Sequence, residues 1–277
     1  MLDAKRFIFN IVFLLFIGLP NPSFGQSTTT TKPFVLGLID AIASKELGET
    51  RTLNIYLPEG YSKDSLANYP VIYLLDGSAD EDFIHVAGLV QFAIFPWVNL
   101  LPKSIVVGIA NVDRRRDFTY PTTIEKDKKD YPTTGHSQRF IAFIEKELQP
   151  YIQKKYSSNP TKTIIGQSLG GLLATEILFK KPTLFNQYII VSPSLWWDNE
   201  SLLTRQPACS QPGFQQKTTV FVAVGKEGKI METDANRLVD VLKKAPSVKT
   251  NFHYFADENH ATIFHLAVYK AFEQFKK

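Results

Sequence analysis

A serine between glycines is the feature of this chain that most directly suggests chemistry. Residues 166–170 read G-Q-S-L-G, between an apolar, β-branched run at 161–165 and a stretch of helical composition at 172–179. A strand–turn–helix elbow of this kind lifts a serine hydroxyl out of a sheet, and its glycines remove side chains that would collide in the turn. Because a serine hydroxyl is a weak nucleophile, the pattern predicts that Ser168 acts with a base from elsewhere.

His260 is the candidate base. It follows the last predicted strand and precedes a final amphipathic helix, which gives the chain order serine, acid, histidine that is typical of an α/β hydrolase. The acid that would orient its ring should follow the strand ending at Gly225. Glu227 is nearest to that position, and Asp234 in the first turn of the next helix is the alternative. An exposed, non-catalytic His260 and a Ser–His pair without an acid also fit.

A negatively charged tetrahedral intermediate needs backbone N–H donors. The N–H of Leu169 follows the nucleophile at a helix N-terminus, where the helix dipole also favours negative charge. We expect the second donor in the loop after the strand at 70–75, namely the N–H of Ser78, with Gly77 allowing the turn. Asp76 would brace this loop.

Apolar runs alternating with helical stretches predict an α/β-hydrolase fold, with a mostly parallel sheet and helices on both faces. The carboxyl ends of such strands carry the reactive groups, and every candidate catalytic residue follows a predicted strand. The predicted strands are 51–58, 70–75, 103–110, 161–165, 187–191, 218–224 and 250–255, and the predicted helices are 137–156, 172–179, 232–244 and 261–277.

The N-terminal sequence and the composition indicate where the protein acts and which partners it can bind. Lys5 and Arg6 precede an apolar run and a small-x-small site, which predicts a signal peptide at 1–25, a lead-in at 26–45 and one domain at 46–277. The apolar run is too short for a stable membrane anchor. Cys209 is the only cysteine, so no intramolecular disulfide forms. These features favour a bacterial periplasmic or secreted protein. The net charge of +4 and the lack of a basic stripe argue against a nucleic-acid partner.

Two clusters could contact a small-molecule substrate. Arg114, Arg115 and Arg116 follow a predicted strand end, and one or more of them could hold an anionic group, with Arg114 and Arg116 as the candidates. Pairing with Asp113 and Asp117 is the alternative. Trp196 and Trp197 could form the wall of an acyl or aryl pocket, or one of them could pack in the core.

The chain also resembles the esterase D-like family of α/β hydrolases, and within it the branch of siderophore esterases acting on ferric enterobactin or bacillibactin. The resemblance implies that Ser168 and His260 are nucleophile and base, while the acid varies within the branch and some members resemble a Ser–His dyad. This chain has Gln167 where the family often has histidine, and Ala261 where glycine or serine is frequent. The similar segments are 71–77, 107–111, 113–119, 140–150, 164–171, 192–197 and 259–260.

Together these features predict an exported serine hydrolase of carboxylic esters that works through an acyl-enzyme and needs neither metal nor organic cofactor. Its substrate would be a siderophore trilactone or an acylated sugar. An acyltransferase on the same fold and a catalytically silent siderophore- or glycan-binding protein are the alternatives. The sequence leaves the oligomeric state open.

Overall fold

The strands form one mixed sheet in the part of the chain that the computed structural model describes, residues 30–64 and 68–276. The eight strands are β1 (Leu38–Ser44), β2 (Glu49–Tyr56), β3 (Tyr69–Leu74), β4 (Ile105–Ile109), β5 (Ser158–Gln167), β6 (Gln187–Val191), β7 (Thr218–Gly225) and β8 (Val248–Phe255). They lie in the order β1-β2-β4-β3-β5-β6-β7-β8. The β1–β2 and β2–β4 pairs are antiparallel and the other pairs are parallel.

Helices cover both faces of this sheet. Within the described residues they are α1 (Phe83–Ala93), α2 (Arg114–Phe118), α3 (Glu125–Asp130), α4 (Ser137–Phe143), α5 (Gln149–Lys155), α6 (Leu169–Lys180), α7 (Trp197–Glu200), α8 (Lys229–Leu242) and α9 (Ile263–Lys276). Helices α4, α5, α6 and α8 pack on one face, and α1 and α9 pack on the other. The prediction of a mostly parallel α/β sheet is confirmed.

Strand β3 shows why the central strands are apolar at every position. Val71 and Tyr73 point into the core beneath α4–α6, whereas Ile72 and Leu74 point into the core beneath α1 and α9. Because successive side chains of a strand alternate between faces, a strand covered on both sides needs apolar residues throughout. The same burial brings the carboxyl ends of β3, β5, β6 and β7 to one edge of the sheet.

The structure differs from the sequence-based boundaries in several places. Strand β1 lies inside the stretch 26–45 assigned to a lead-in, so the sheet begins earlier than predicted, within the compact unit Leu36–Lys277. The predicted helix 137–156 is divided by a π-helical turn at Ile144–Leu148. Helix α1 and the short helices α2, α3 and α7 were not predicted.

The predicted signal peptide at 1–25 lies outside the described residues. Among the helices of the described residues, none combines the length and the apolar character that spanning a bilayer requires.

Candidate active site

Ser168 occupies a strained turn between β5 and α6. Its backbone has φ 58° and ψ −119°, a region that residues with a side chain seldom adopt. The turn closes so tightly that a Cβ on Gly166 would lie 2.4 Å from the carbonyl oxygen of Gly170, which explains the glycine at this position. The Ser168 N–H donates to the Val191 carbonyl at 3.1 Å, so the end of β6 anchors the elbow.

His260 lies beside Glu227, although 33 residues separate them in sequence. Glu227 follows β7 and His260 lies in the loop between β8 and α9. Glu227 Oε2 is 2.5 Å from His260 Nδ1, which leaves Nε2 as the ring nitrogen available to a substrate or nucleophile. The Glu227 side chain is 3% exposed and that of His260 is 46% exposed. A buried carboxylate thus orients an accessible imidazole, an arrangement that can support general-base chemistry.

Two further donors hold the other oxygen of Glu227. The Gly225 N–H donates to Oε1 at 2.9 Å, and the hydroxyl of Ser192 donates to the same oxygen. Burial raises the pKa of Glu227, but the hydrogen bonds from His260, Ser192 and the Gly225 N–H outweigh it and leave the pKa below its ordinary value. Ser192 itself is fully buried and has a positive φ of 42°. Sequence reasoning missed Ser192 because a serine after a strand carries no distinctive signal.

Asp234, the alternative acid, lies elsewhere. It is buried on α8, where Arg237 Nη1 is 3.3 Å from its Oδ1. Burial and the nearby Glu200 carboxylate raise its pKa, against the opposing effect of Arg237. It makes no hydrogen bond with His260, so the geometry favours Glu227 as the partner of the histidine.

The hydroxyl of Ser168 contacts a second serine. Ser168 Oγ lies 3.2 Å from Ser194 Oγ, and the Ser194 N–H donates to the Ser168 carbonyl at 3.0 Å. Among the described residues, Ser168 Oγ makes no hydrogen bond to His260. The side chain must therefore turn away from Ser194 before a proton can pass to the imidazole, which is a common feature of substrate-free sites.

The expected oxyanion donors differ in availability. Leu169 is the first residue of α6, so its N–H has no acceptor within the helix. The Gly77 N–H donates to the Ile109 carbonyl at 3.0 Å and is therefore engaged. Gly77 instead permits close packing, because a Cβ there would lie 2.4 Å from Gly108 Cα. The Ser78 N–H is 3.4 Å from Glu81 Oε2, a long bond that an oxyanion could displace.

The three consecutive arginines have three different surroundings. Arg114 is paired with Asp76, with Nε 2.6 Å from Oδ1 and Nη2 2.9 Å from Oδ2. Arg116 binds Glu49 and Asp117 and does not line the Ser168 cleft, so its predicted substrate contact is not supported. Arg115 lines the cleft, stacks 4.5 Å from the centroid of the Tyr131 ring, and forms no ion pair within the described residues. The sequence grouped Arg115 with its two neighbours but favoured Arg114 and Arg116 as substrate contacts.

A cleft of about 210 Å³ opens beside Ser168. Trp196 is 38% exposed, whereas Trp197 is 1% exposed and donates its Nε1–H to the Tyr120 carbonyl at 2.8 Å. Both tryptophans line the cleft, with the buried one also packing in the core. The full lining is Arg114, Arg115, Thr119, Tyr131, Thr134, Ser168, Leu169, Ser194, Trp196 and Trp197. No group of three or more His, Cys, Asp or Glu in the described chain could hold a metal ion.

The strand order, the elbow after β5 and the histidine after β8 define an α/β hydrolase. The profile of the family described as "Putative esterase" matches residues 44–276, and the chain belongs to this family of ester hydrolases.

Relatives of known name agree with this assignment. Ferri-bacillibactin esterase BesA of Bacillus subtilis (strain 168) is 27% identical over 263 residues, which cover 87% of this chain and 91% of BesA. An IroE-like serine hydrolase from Shewanella oneidensis superposes with a TM-score of 0.76 at 31% identity, covering 86% of this chain and 79% of that one. The BES protein from Bacillus cereus superposes with a TM-score of 0.76 at 30% identity, covering 89% of this chain and 98% of that one.

Proposed function

We propose that the protein is an exported serine esterase with Ser168 as nucleophile, His260 as general base and Glu227 as the orienting acid. The observation that carries the proposal is the 2.5 Å contact between Glu227 and His260 at the sheet edge that also bears the strained Ser168 elbow. Activation of a serine hydroxyl requires three parts: a buried acid, an accessible imidazole and a serine raised out of the sheet.

The reaction proceeds in two steps. Ser168 Oγ turns from Ser194 toward His260, gives its proton to Nε2 and attacks the ester carbonyl carbon. Glu227 stabilises the imidazolium, while the N–H groups of Leu169 and Ser78 bind the oxyanion. His260 then returns the proton to the departing alkoxide, which leaves as an alcohol. In the second step His260 takes a proton from water and the hydroxide attacks the acyl-enzyme carbonyl. The bond to Ser168 Oγ then breaks, His260 returns the proton to that oxygen, and the carboxylic acid is released.

We further propose a siderophore ester as the substrate. Relatives named as siderophore esterases, including BesA, support this class. The cleft offers a cation at Arg115 and aromatic surfaces at Tyr131 and Trp196, which suit an anionic, ring-bearing ligand. Iron, if bound, belongs to the substrate. The basic and apolar sequence of residues 1–25 is the basis for proposing export.

A fluorophosphonate probe followed by peptide mass spectrometry tests the nucleophile. We expect one adduct on Ser168, lost in Ser168→Ala and strongly slowed in His260→Ala. Ser194→Ala is the matched control: it removes the neighbouring hydroxyl and should leave labelling of Ser168 in place. An adduct on Ser194, or no adduct on a folded protein, would contradict the proposal, and the second result would favour a binding protein.

The substrate is tested separately with ferric trilactone siderophores and acetylated sugars. Faster hydrolysis of the siderophore esters supports the proposed class. Exclusive cleavage of acylated sugars would replace it without changing the mechanism.

A further inference from the structure

We propose that Gln167 is a positioning residue that fixes the main chain of His260 relative to Ser168. This inference rests on the proposed serine mechanism. It concerns the residue directly before the nucleophile, whose side chain takes no part in proton transfer.

The sheet order creates the need for such a residue. Ser168 follows β5 and His260 follows β8, and strands β6 and β7 lie between them. Neighbouring strands lie about 4.8 Å apart, so three strand spacings place the carboxyl ends of β5 and β8 about 14 Å from each other. The loop after β8 must therefore extend along the sheet edge to bring the imidazole to the nucleophile.

Gln167 binds this loop directly. Its Nε2 donates to the His260 carbonyl oxygen at 2.5 Å, while its own carbonyl accepts a hydrogen bond from Arg114 Nη2 at 3.3 Å. The residue thus joins the segment after β4, the elbow and the histidine loop. Its side chain holds the loop, and its main chain is held in turn by an arginine that Asp76 anchors.

The other hydrogen bonds that this loop makes within the described part of the chain do not reach the elbow. The Lys226 N–H donates to the Glu258 carbonyl at 2.7 Å, which ties the loop to the end of β7. The Asn259 side chain accepts from the Ala261 N–H at 2.9 Å, a bond within the loop. These contacts give the loop its shape, whereas the Gln167 contact sets its distance from Ser168.

Two anchors are needed because the ring of His260 is half exposed. Glu227 holds one ring nitrogen, Nδ1, and the ring can pivot about that single bond. Fixing the His260 carbonyl as well restricts the pivot and places Nε2 where the Ser168 hydroxyl can reach it. A displacement of about 1 Å in such a geometry can cost about 100-fold in rate.

The test compares Gln167→Met, which keeps the side-chain length but has no donor, with Gln138→Met on the exposed surface of α4. Hydrolysis of an activated ester, the rate of fluorophosphonate labelling and the unfolding temperature are measured for both. For Gln167→Met we expect kcat and the labelling rate to fall about tenfold or more, with KM within about twofold and little change in Tm. Gln138→Met should match the wild type.

Normal kcat and labelling in Gln167→Met would overturn the inference, as would a loss of activity fully accounted for by unfolding. Ser168→Ala, measured in parallel, distinguishes a failure of the proposed serine mechanism from a failure of the positioning role of Gln167. If Ser168→Ala keeps full activity, the proposed function fails. If Ser168→Ala is inactive while Gln167→Met is normal, only the positioning role fails.

Discussion

Glu227 and His260 form a contact between a nearly fully buried carboxylate and a half-exposed imidazole, 2.5 Å apart. This difference in exposure indicates that Glu227 orients the ring and that His260 is the group accessible for proton transfer. Glu227 is fixed by three donors and can orient a ring, whereas the ring of His260 is accessible to solvent.

Glu227→Gln should lower kcat by on the order of 100- to 10,000-fold, because an amide that donates to Nδ1 stabilises the wrong imidazole tautomer. The measurement is steady-state hydrolysis of an activated ester. Asp234→Asn is the matched control on α8 and should keep kcat within about threefold, since Asp234 does not contact His260. Equal losses in the two variants would argue against Glu227 as the acid.

Ser192→Ala should reduce the stability of the protein in a pH-dependent way. The lowered pKa of Glu227 means that its ionised form stabilises the fold above its ordinary value of 4.5, and that this stabilisation is lost as the pH falls through the folded-state pKa. Removing the Ser192 hydroxyl takes away one donor to the carboxylate and weakens this stabilisation. The decrease in Tm should be largest at pH 6–8 and should shrink toward pH 3.

Thermal unfolding across this pH range provides the measurement. Ser194→Ala removes a buried hydroxyl that is not bonded to a carboxylate, so its effect on Tm should not follow pH in this way. A decrease in Tm for Ser192→Ala that is equal at pH 3 and pH 7 would count against the role given to this hydroxyl.

Asp82→Asn should stabilise the protein at neutral pH. Burial, together with the charges of Asp76 and Glu81 and against the opposing effect of Arg114, raises the pKa of Asp82 from 3.8 to about 6. The folded state therefore holds a proton that the unfolded state releases, and stability decreases as the pH rises between about 4 and 6. We expect a higher Tm for Asp82→Asn at pH 7.5 and no difference near pH 4. Asp80→Asn, an exposed neighbour, should show neither effect.

Arg115→Gln and Arg116→Gln should separate substrate binding from stability. Arg115 lines the cleft and has no acidic partner among the residues that the structure describes, so its loss should raise KM for anionic esters about tenfold and leave neutral esters unaffected. Arg116 binds Glu49 and the buried Asp117, so its loss should lower the free energy of unfolding by about 1–3 kcal/mol with little change in KM. A change in KM for Arg116→Gln together with a loss of stability for Arg115→Gln would contradict these assignments.

The sequence predicted the central sheet well but not its edge. Strands β3, β4 and β6 are buried on both faces and read as continuous apolar runs. Strand β1 is partly exposed and contains the buried Asp40, which binds Lys155 Nζ at 2.5 Å and Tyr156 Oη at 2.7 Å. Partners more than 100 residues away make this polar residue compatible with a strand, and no local pattern reveals them.

The same limit applies to the site. Ser168 and His260 could be proposed because each follows a strand in a recognisable order. The arginines could not be sorted, because consecutive residues of a helix point in directions about 100° apart and only the fold shows which one faces the cleft. The sequence does not reveal that Arg116 pairs with Glu49, because the two residues lie 67 positions apart.

The contact between Ser168 and Ser194 has a kinetic consequence under the proposed mechanism. A hydroxyl held by its neighbour and a hydroxyl presented to the imidazole are two rotamers of one side chain, and only the second can react. The apparent rate constant of acylation is then the intrinsic constant multiplied by the fraction of molecules in the reactive rotamer. A ligand that fills the space beside Ser194 would increase that fraction, so part of its binding energy would appear as reactivity of the serine rather than as affinity.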